Sequence, residues 1–258
     1  MDPYDVRFAR EIYSGIYRIG AGKARTNVYL VDCGGPYVMM DTGPTGSLDG
    51  IRQQMNALGI EPRSVEAIVA SHCHCGHVGT LAAMKRRTRA TVIAHRDDAI
   101  PIQKGDVIRT GASMVPYEGF FAACEVDVKI TDKHVLRVGS REFTIRHFHS
   151  HTAGSVSIEF KGDEGSFVML GDVLFKDGGM GYLDFHFGSS IPKYIENLEK
   201  LKERYPDYVL PAHGTWYKFS KRTVNRALKR LKFYEKQPEF GLSGPGPMTD
   251  SGYRFPEQ

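Results

Sequence analysis

Ser71-His72-Cys73-His74-Cys75-Gly76-His77 places three histidines within six residues. Ala67-Ile68-Val69-Ala70, just before it, is a continuous apolar run of the kind found in strands buried on both faces. After it, Val78, Leu81, Ala82 and Met84 recur at helical spacing, with Lys85-Arg86-Arg87 in the last turn, where the helix dipole favours positive charge. A buried strand entering a helix through a histidine-rich loop points to a layered α/β protein with its chemistry at a strand end. In extended backbone His72 and His74 lie on one side, and a turn at Gly76 brings His77 round beside them. One histidine in a loop reads as a solvent-facing side chain, whereas three at this spacing read as metal ligands. Cys73 and Cys75 alternate with them and so point the other way, to pack beneath the loop, with Cys75 kept as a candidate extra thiolate ligand.

Reading outward from this loop, the chain alternates between strands and helices. Ile16–Ile19, Asn27–Val31 and Tyr37–Met40 are β-prone segments separated by turn signals such as Gly34-Gly35-Pro36. Leu48, Ile51, Met55 and Leu58 follow with three- and four-residue spacing, and Gly59 sits where a C-cap glycine belongs, which predicts a helix. Strands are expected again at Thr91–Ala94, Val126–Ile130, Val135–Val138, Phe143–Arg146, Val156–Phe160, Phe167–Leu170 and Tyr208–Leu210. Helices are expected at Ile191–Arg204 and Phe219–Lys236. Two such successions predict two sheets packed face to face with helices outside. The expectation is a single domain over residues 1–258, its tail from Pro238 being loop.

More polar residues stand at the ends of apolar runs: Asp41 after Tyr37–Met40, His151 beyond Phe143–Arg146, Asp172 after Phe167–Gly171 and His213 after Tyr208–Ala212. Taken singly, each aspartate reads as a turn former or helix cap. Taken together with the histidine loop, they read as a ligand set gathered beyond the strand ends.

On these motifs the chain resembles the metallo-β-lactamase superfamily. Asp41-Thr42-Gly43, the His-x-His-x-x-His run at His72, His74 and His77, then His151, Asp172 and His213 match its five motifs in order, across residues 41–213. The resemblance implies a four-layer αβ/βα sandwich of two mixed β-sheets with helices on the outer faces and a metal centre at one edge. It implies that His72, His74 and His151 hold a first cation, that His77 and His213 hold a second, that Asp172 bridges them, and that Asp41 steadies the loop from behind. Members usually carry aspartate just before the third histidine, and here that residue is Gly76. The second site thus lacks one carboxylate, so one or two zinc ions per subunit are expected, with iron as the alternative metal.

The expected activity is hydrolysis of a small ester, lactone or thioester by a metal-bound hydroxide, since a cation lowers the pKa of bound water from near 16 to about 7. Without a carboxylate at position 76, Asp172 and His149 are the candidates for moving the proton to the leaving group. Two other readings stand beside it: a mononuclear-iron enzyme of the persulfide dioxygenase kind, and a metal-binding member without catalysis. Tyr182 and His186, shortly after Asp172, are candidate substrate-facing side chains.

Composition alone leaves the partner open, and the small-molecule substrate is what the resemblance implies. The 258 residues are 41% hydrophobic and 25% charged, which excludes a disordered, collagenous or disulfide-stapled chain. The formal charge of +4 comes from 34 basic and 30 acidic residues, too slight an excess for a nucleic-acid partner. The concentration of bases in the last helix reads as a solvated face, with an anion-binding surface as the sharper alternative. No apolar run reaches the roughly 18–20 residues of a membrane span. The polar start and four cysteines without framework spacing predict a cytoplasmic protein with free thiols.

Overall fold

The apolar runs of the sequence become two mixed sheets in the computed structural model, which describes residues 9–22, 25–114, 120–185 and 188–236. The first sheet holds, in spatial order, β1 (Arg10–Tyr13), β2 (Ile16–Ala21), β3 (Thr26–Asp32), β4 (Tyr37–Met40), β5 (Val65–Val69), β6 (Thr91–His95) and β7 (Val128–Ile130). Its strands are antiparallel up to β4 and parallel from β4 to β7. The second sheet comprises β8 (Lys133–Val138), β9 (Arg141–His147), β10 (Val156–Gly162), β11 (Gly165–Met169), β12 (Tyr208–Leu210) and β13 (Tyr217–Lys218), neighbours in that order. Only the β11–β12 pair is parallel there.

Why the sheets stack is visible in the side-chain alternation. Along β3, Val28 and Leu30 face one apolar cluster while Tyr29 and Val31 face another, and along β5 Ile68 and Val69 divide in the same way. The central cluster joins Tyr29, Val38, Met40 and Val69 of the first sheet to Phe143, Ile158, Phe167 and Met169 of the second. On the outside of the first sheet lie α1 (Leu48–Ala57), α2 (Cys75–Val78), α3 (Leu81–Thr88) and α4 (Arg96–Lys104), contributing Ile51, Met55, Leu81, Met84 and Ile102. Outside the second lie α5 (Ile191–Arg204) and α6 (Lys221–Glu235), contributing Tyr194, Leu198, Leu201, Leu228 and Leu231. Helix, sheet, sheet and helix layers make the expected αβ/βα sandwich. Strands apolar on both faces are what two flanking layers require.

The structure departs from the expected elements in four places. The helix read from Val78 to Arg87 is broken into α2 and α3 at Thr80, just after Gly79, where a Cβ would stand 2.1 Å from Thr45 N. Helix α4 was not expected, because Pro101 inside it reads as a breaker. The short edge strands β1 and β13 also carry no clear pattern. The tail from Pro238 lies outside the described residues. Among the described residues, no helix is long and apolar enough to cross a membrane.

Candidate metal centre

The two sheets are tied together at the edge where the polar strand ends meet. Val156 N donates to Ser71 O (2.9 Å), and Asn27 N donates to Ala212 O (2.7 Å). Asn27 Nδ2 donates to the carbonyls of Pro211 and Gly214, 2.9 Å each. This brings the His72–His77 loop after β5 opposite the loops after β9, β11 and β12.

Asp41 follows β4 with φ +61, a left-handed conformation that asparagine and aspartate tolerate better than most residues. Its Oδ1 accepts from Ser71 N (2.7 Å), its Oδ2 accepts from the Ser71 hydroxyl (2.7 Å), and Oδ2 also lies 3.0 Å from His77 Nδ1. The hydroxyl proton is thereby committed to Asp41, so the 3.0 Å contact between Ser71 Oγ and His72 Nδ1 assigns the imidazole proton to Nδ1. The lone pair of His72 is left on Nε2, which is buried and has no hydrogen-bond partner. His151 is fixed likewise: its Nδ1 donates to Tyr182 O (2.8 Å), which leaves Nε2 as the lone-pair nitrogen.

These lone pairs converge. Ligand atoms of His72, His74 and His151 lie within 4.8 Å of one another, as do those of His72, His77 and Asp172. Asp172 Oδ1 sits 3.4 Å from His77 Nε2 and 3.3 Å from His213 Nε2, while Oδ2 is 3.8 Å from His151 Nε2. Oδ1 is itself buried without a hydrogen bond of good geometry. Burial pushes His72 and His74 well below the ordinary imidazole value, and His151 and His213 below it too, which favours the neutral form of each ring. Burial opposes ionisation of Asp172, but His213 and His77 beside it hold the carboxyl well below its ordinary value. For His77 burial is overcome by Asp172 and Asp41, which push it up to about 10; a cation between these groups would take over the role of that proton. Imidazoles and an ionised carboxylate turned toward one point, around a buried His72 Nε2 with no hydrogen-bond partner, fit a divalent cation of borderline softness such as zinc.

A second buried carboxylate braces the loops from the other side, and the sequence did not point to it. Asp98 of α4 accepts from Cys73 N (2.8 Å) and Thr152 Oγ1 (2.8 Å) through Oδ2, and from Gly154 N (2.9 Å) through Oδ1. It joins the residue between His72 and His74 to the turn just after His151. Burial pushes its carboxyl above the ordinary value. No sequence signal singles it out, because its partners Cys73, Thr152 and Gly154 lie far along the chain.

The remaining candidates are placed as follows. Tyr182 stacks on His74, with ring centroids 5.8 Å apart and planes 5° from parallel. His149 Nε2 lies 2.9 Å from Gly188 O, and the ring faces His147. Cys75 is buried in the cluster beneath the first sheet, as is Cys73, and it is not among the two grouped ligand sets. His186 lies outside the described residues. Gly181 presses against the centre: a Cβ there would stand 2.9 Å from Asp172 Cβ and 3.0 Å from His151 Nδ1.

Comparison with known proteins gives this arrangement a family. Residues 21–213 match the model of the metallo-beta-lactamase superfamily. The chain belongs to that superfamily. Among curated members it is 28% identical to the probable metallo-hydrolase YqgX of Bacillus subtilis over 206 residues, 76% of this chain and 89% of that one. It is 26% identical to the human acyl-coenzyme A thioesterase MBLAC2 over 213 residues, 73% of each. Among solved structures, the metallo-beta-lactamase BJP-1 of Bradyrhizobium japonicum superposes with a TM-score of 0.74 at 18% identity, covering 93% of this chain and 97% of that one, a likeness of fold. Superfamily membership and the ligand geometry together make the chain a metal-dependent hydrolase.

Proposed function

We propose that the substrate of this hydrolase, within the range of small esters, lactones and thioesters, is an acyl thioester. The observation that carries the metal-dependent part is the buried, unpartnered His72 Nε2, shared by two overlapping ligand sets of which the second adds the Asp172 carboxylate. The thioester choice is supported by the similarity to the human acyl-coenzyme A thioesterase over most of both chains.

His72, His74 and His151 are the proposed holders of a first cation, with Asp172 bridging toward His77 and His213. Zinc held by these residues would supply Lewis acidity, the chemistry that acidifies water and polarises a carbonyl. Asp41 keeps His77 turned inward through Nδ1, and the Tyr182 carbonyl does the same for His151. Asp172 is the proposed carrier of the proton to the leaving group, with His149 as the further candidate on the loop before His151. Gly76 removes a carboxylate from the second set, which favours a first site filled before the second. The same substitution supports a second reading, a single iron acting with oxygen on a persulfide. The four cysteines are buried thiols, which supports the cytoplasmic setting.

Elemental analysis of the purified protein, giving metal identity and atoms per subunit, is the first test. Zinc-loaded protein is expected to cleave acyl-coenzyme A under argon, and His72→Ala to lose both metal and activity. A single bound iron, no cleavage under argon, and oxygen uptake with a persulfide would replace this reading with the second.

A further inference from the structure

The turn after α4 exposes apolar side chains beside the metal centre. Val107, Ile108 and Met114 are 41%, 69% and 57% exposed. The turn is nevertheless built: Asp106 Oδ1 accepts from the N–H groups of Ile108 and Arg109, and Asp106 O accepts from Thr110 N. Its inner side is fastened to the ligand loop, with Cys75 N donating to Thr110 O (2.7 Å) and Cys73 Sγ 3.7 Å from Arg109 O. Gly111 lies between two side chains: a Cβ built on it would be 3.4 Å from Met114 Cε and 3.9 Å from Tyr182 Oη. The Tyr182 ring in turn stacks on His74. Phe185, 39% exposed, stands three residues beyond Tyr182. An apolar strip therefore leads from the surface, past Met114, Gly111 and Tyr182, to a histidine of the proposed first site.

Exposed apolar strips of this kind are uncommon on a protein surface unless something covers them. We propose that this strip receives the hydrocarbon chain of the acyl group, so that medium-chain acyl thioesters are preferred to acetyl thioesters. The inference rests on the thioester reading above. The occupant follows from continuity: a chain attached to a carbonyl at the cluster meets Tyr182, Gly111 and Met114 in that order. Each methylene moved wholly from water to an apolar surface is worth roughly fourfold. A strip open on one side buries the chain only in part, to the equivalent of one or two methylenes overall, so about tenfold is expected between acetyl and decanoyl chains.

The test compares kcat/KM for acetyl-, hexanoyl- and decanoyl-coenzyme A in the metal-loaded protein, alongside calorimetric binding of decanoate and acetate. The ratio of decanoyl to acetyl rates should rise with chain length and fall about tenfold in the double variant Ile108→Ser, Met114→Ser, the loss of that same apolar gain. Both positions are exposed, so the variant folds. Ile100→Ser, 44% exposed on α4 and outside the strip, should leave the ratio unchanged. Equal rates along the series, or a ratio untouched by the double variant, would overturn the strip. Decanoate bound no more tightly than acetate would do the same. Tighter decanoate binding without cleavage of any thioester would instead support the strip and discard the thioester reading.

Discussion

Asp98→Ala should weaken both the fold and the metal centre, although Asp98 is in neither ligand set. The carboxylate is buried and accepts three hydrogen bonds, from Cys73 N, Gly154 N and Thr152 Oγ1. Truncation leaves two buried backbone N–H groups unpaired, at roughly 1–3 kcal/mol each, whereas the Thr152 hydroxyl still has Ser155 Oγ at 2.8 Å. Against this, folding no longer buries a carboxylate that burial disfavours, which offsets part of the loss. A net destabilisation of about 1–4 kcal/mol is expected, read as a lower denaturant midpoint at unchanged slope. The local effect matters more. Cys73 lies between His72 and His74, and Thr152 follows His151, so all three imidazoles of the proposed first site lose a shared anchor. Groups that orient metal ligands are typically worth 10–100-fold in affinity, and about that loss is expected for zinc in a chelator competition titration. Asp98→Asn, with one carbonyl oxygen retained, should fall between. A variant Asp98→Ala with the parent's midpoint and zinc affinity would refute the bracing role.

Gly76→Asp should raise the zinc bound per subunit at saturating metal, measured by elemental analysis. Nothing lies within 4 Å of the added Cβ, so the fold should accept it, and an unchanged stoichiometry would contradict the assignment of His77 and Asp172 to a second site. Gly181→Ala should lower zinc affinity about tenfold by pressing on Asp172 and His151, as measured by the same competition titration; parent-like affinity would mean that the Tyr182 segment yields freely. Burial pushes Cys33 and Cys124 up to about 11, so native protein at neutral pH should react with a thiol reagent far more slowly than the unfolded chain. Since the folded values are the higher ones, the associated stability is complete below the unfolded thiol value, near 8.5, and is lost as pH rises through about 11. A folded protein whose thiols titrate at once at neutral pH would disprove that burial.

Residues whose role is set by their immediate neighbours in sequence were legible before the fold was seen. Ala67–Ala70 is apolar on both faces because it is covered on both sides, and α5 runs over the expected Ile191–Arg204 because its buried stripe carries Tyr194, Leu198 and Leu201. The histidine loop was legible for a similar reason, its three rings being brought together by one turn. What stayed hidden depends on partners far along the chain. The helix breaks at Thr80, which leaves helical geometry just after Pro44 and Thr45 pass against Gly79, and β1 exists because β2 offers it an edge. Asp98 acts on Cys73 and Thr152, neither adjacent to it in sequence, and nothing in Asp97-Asp98 distinguishes one carboxylate from the other. His213 was singled out by its strand end and stands 3.3 Å from Asp172 Oδ1, yet one of the two ligand groupings puts His72 beside His77 and Asp172, a sharing that spacing does not reveal.

The seam between the sheets has a thermodynamic corollary. His72, His74 and His77 ride on the first sheet and His151, Asp172 and His213 on the second, so a cation held by both halves would work as a crosslink. By linkage, it would add about 1.4 kcal/mol to the docking of the halves for every tenfold by which the free metal exceeds its dissociation constant. Thermal stability thereby becomes a gauge of metal occupancy.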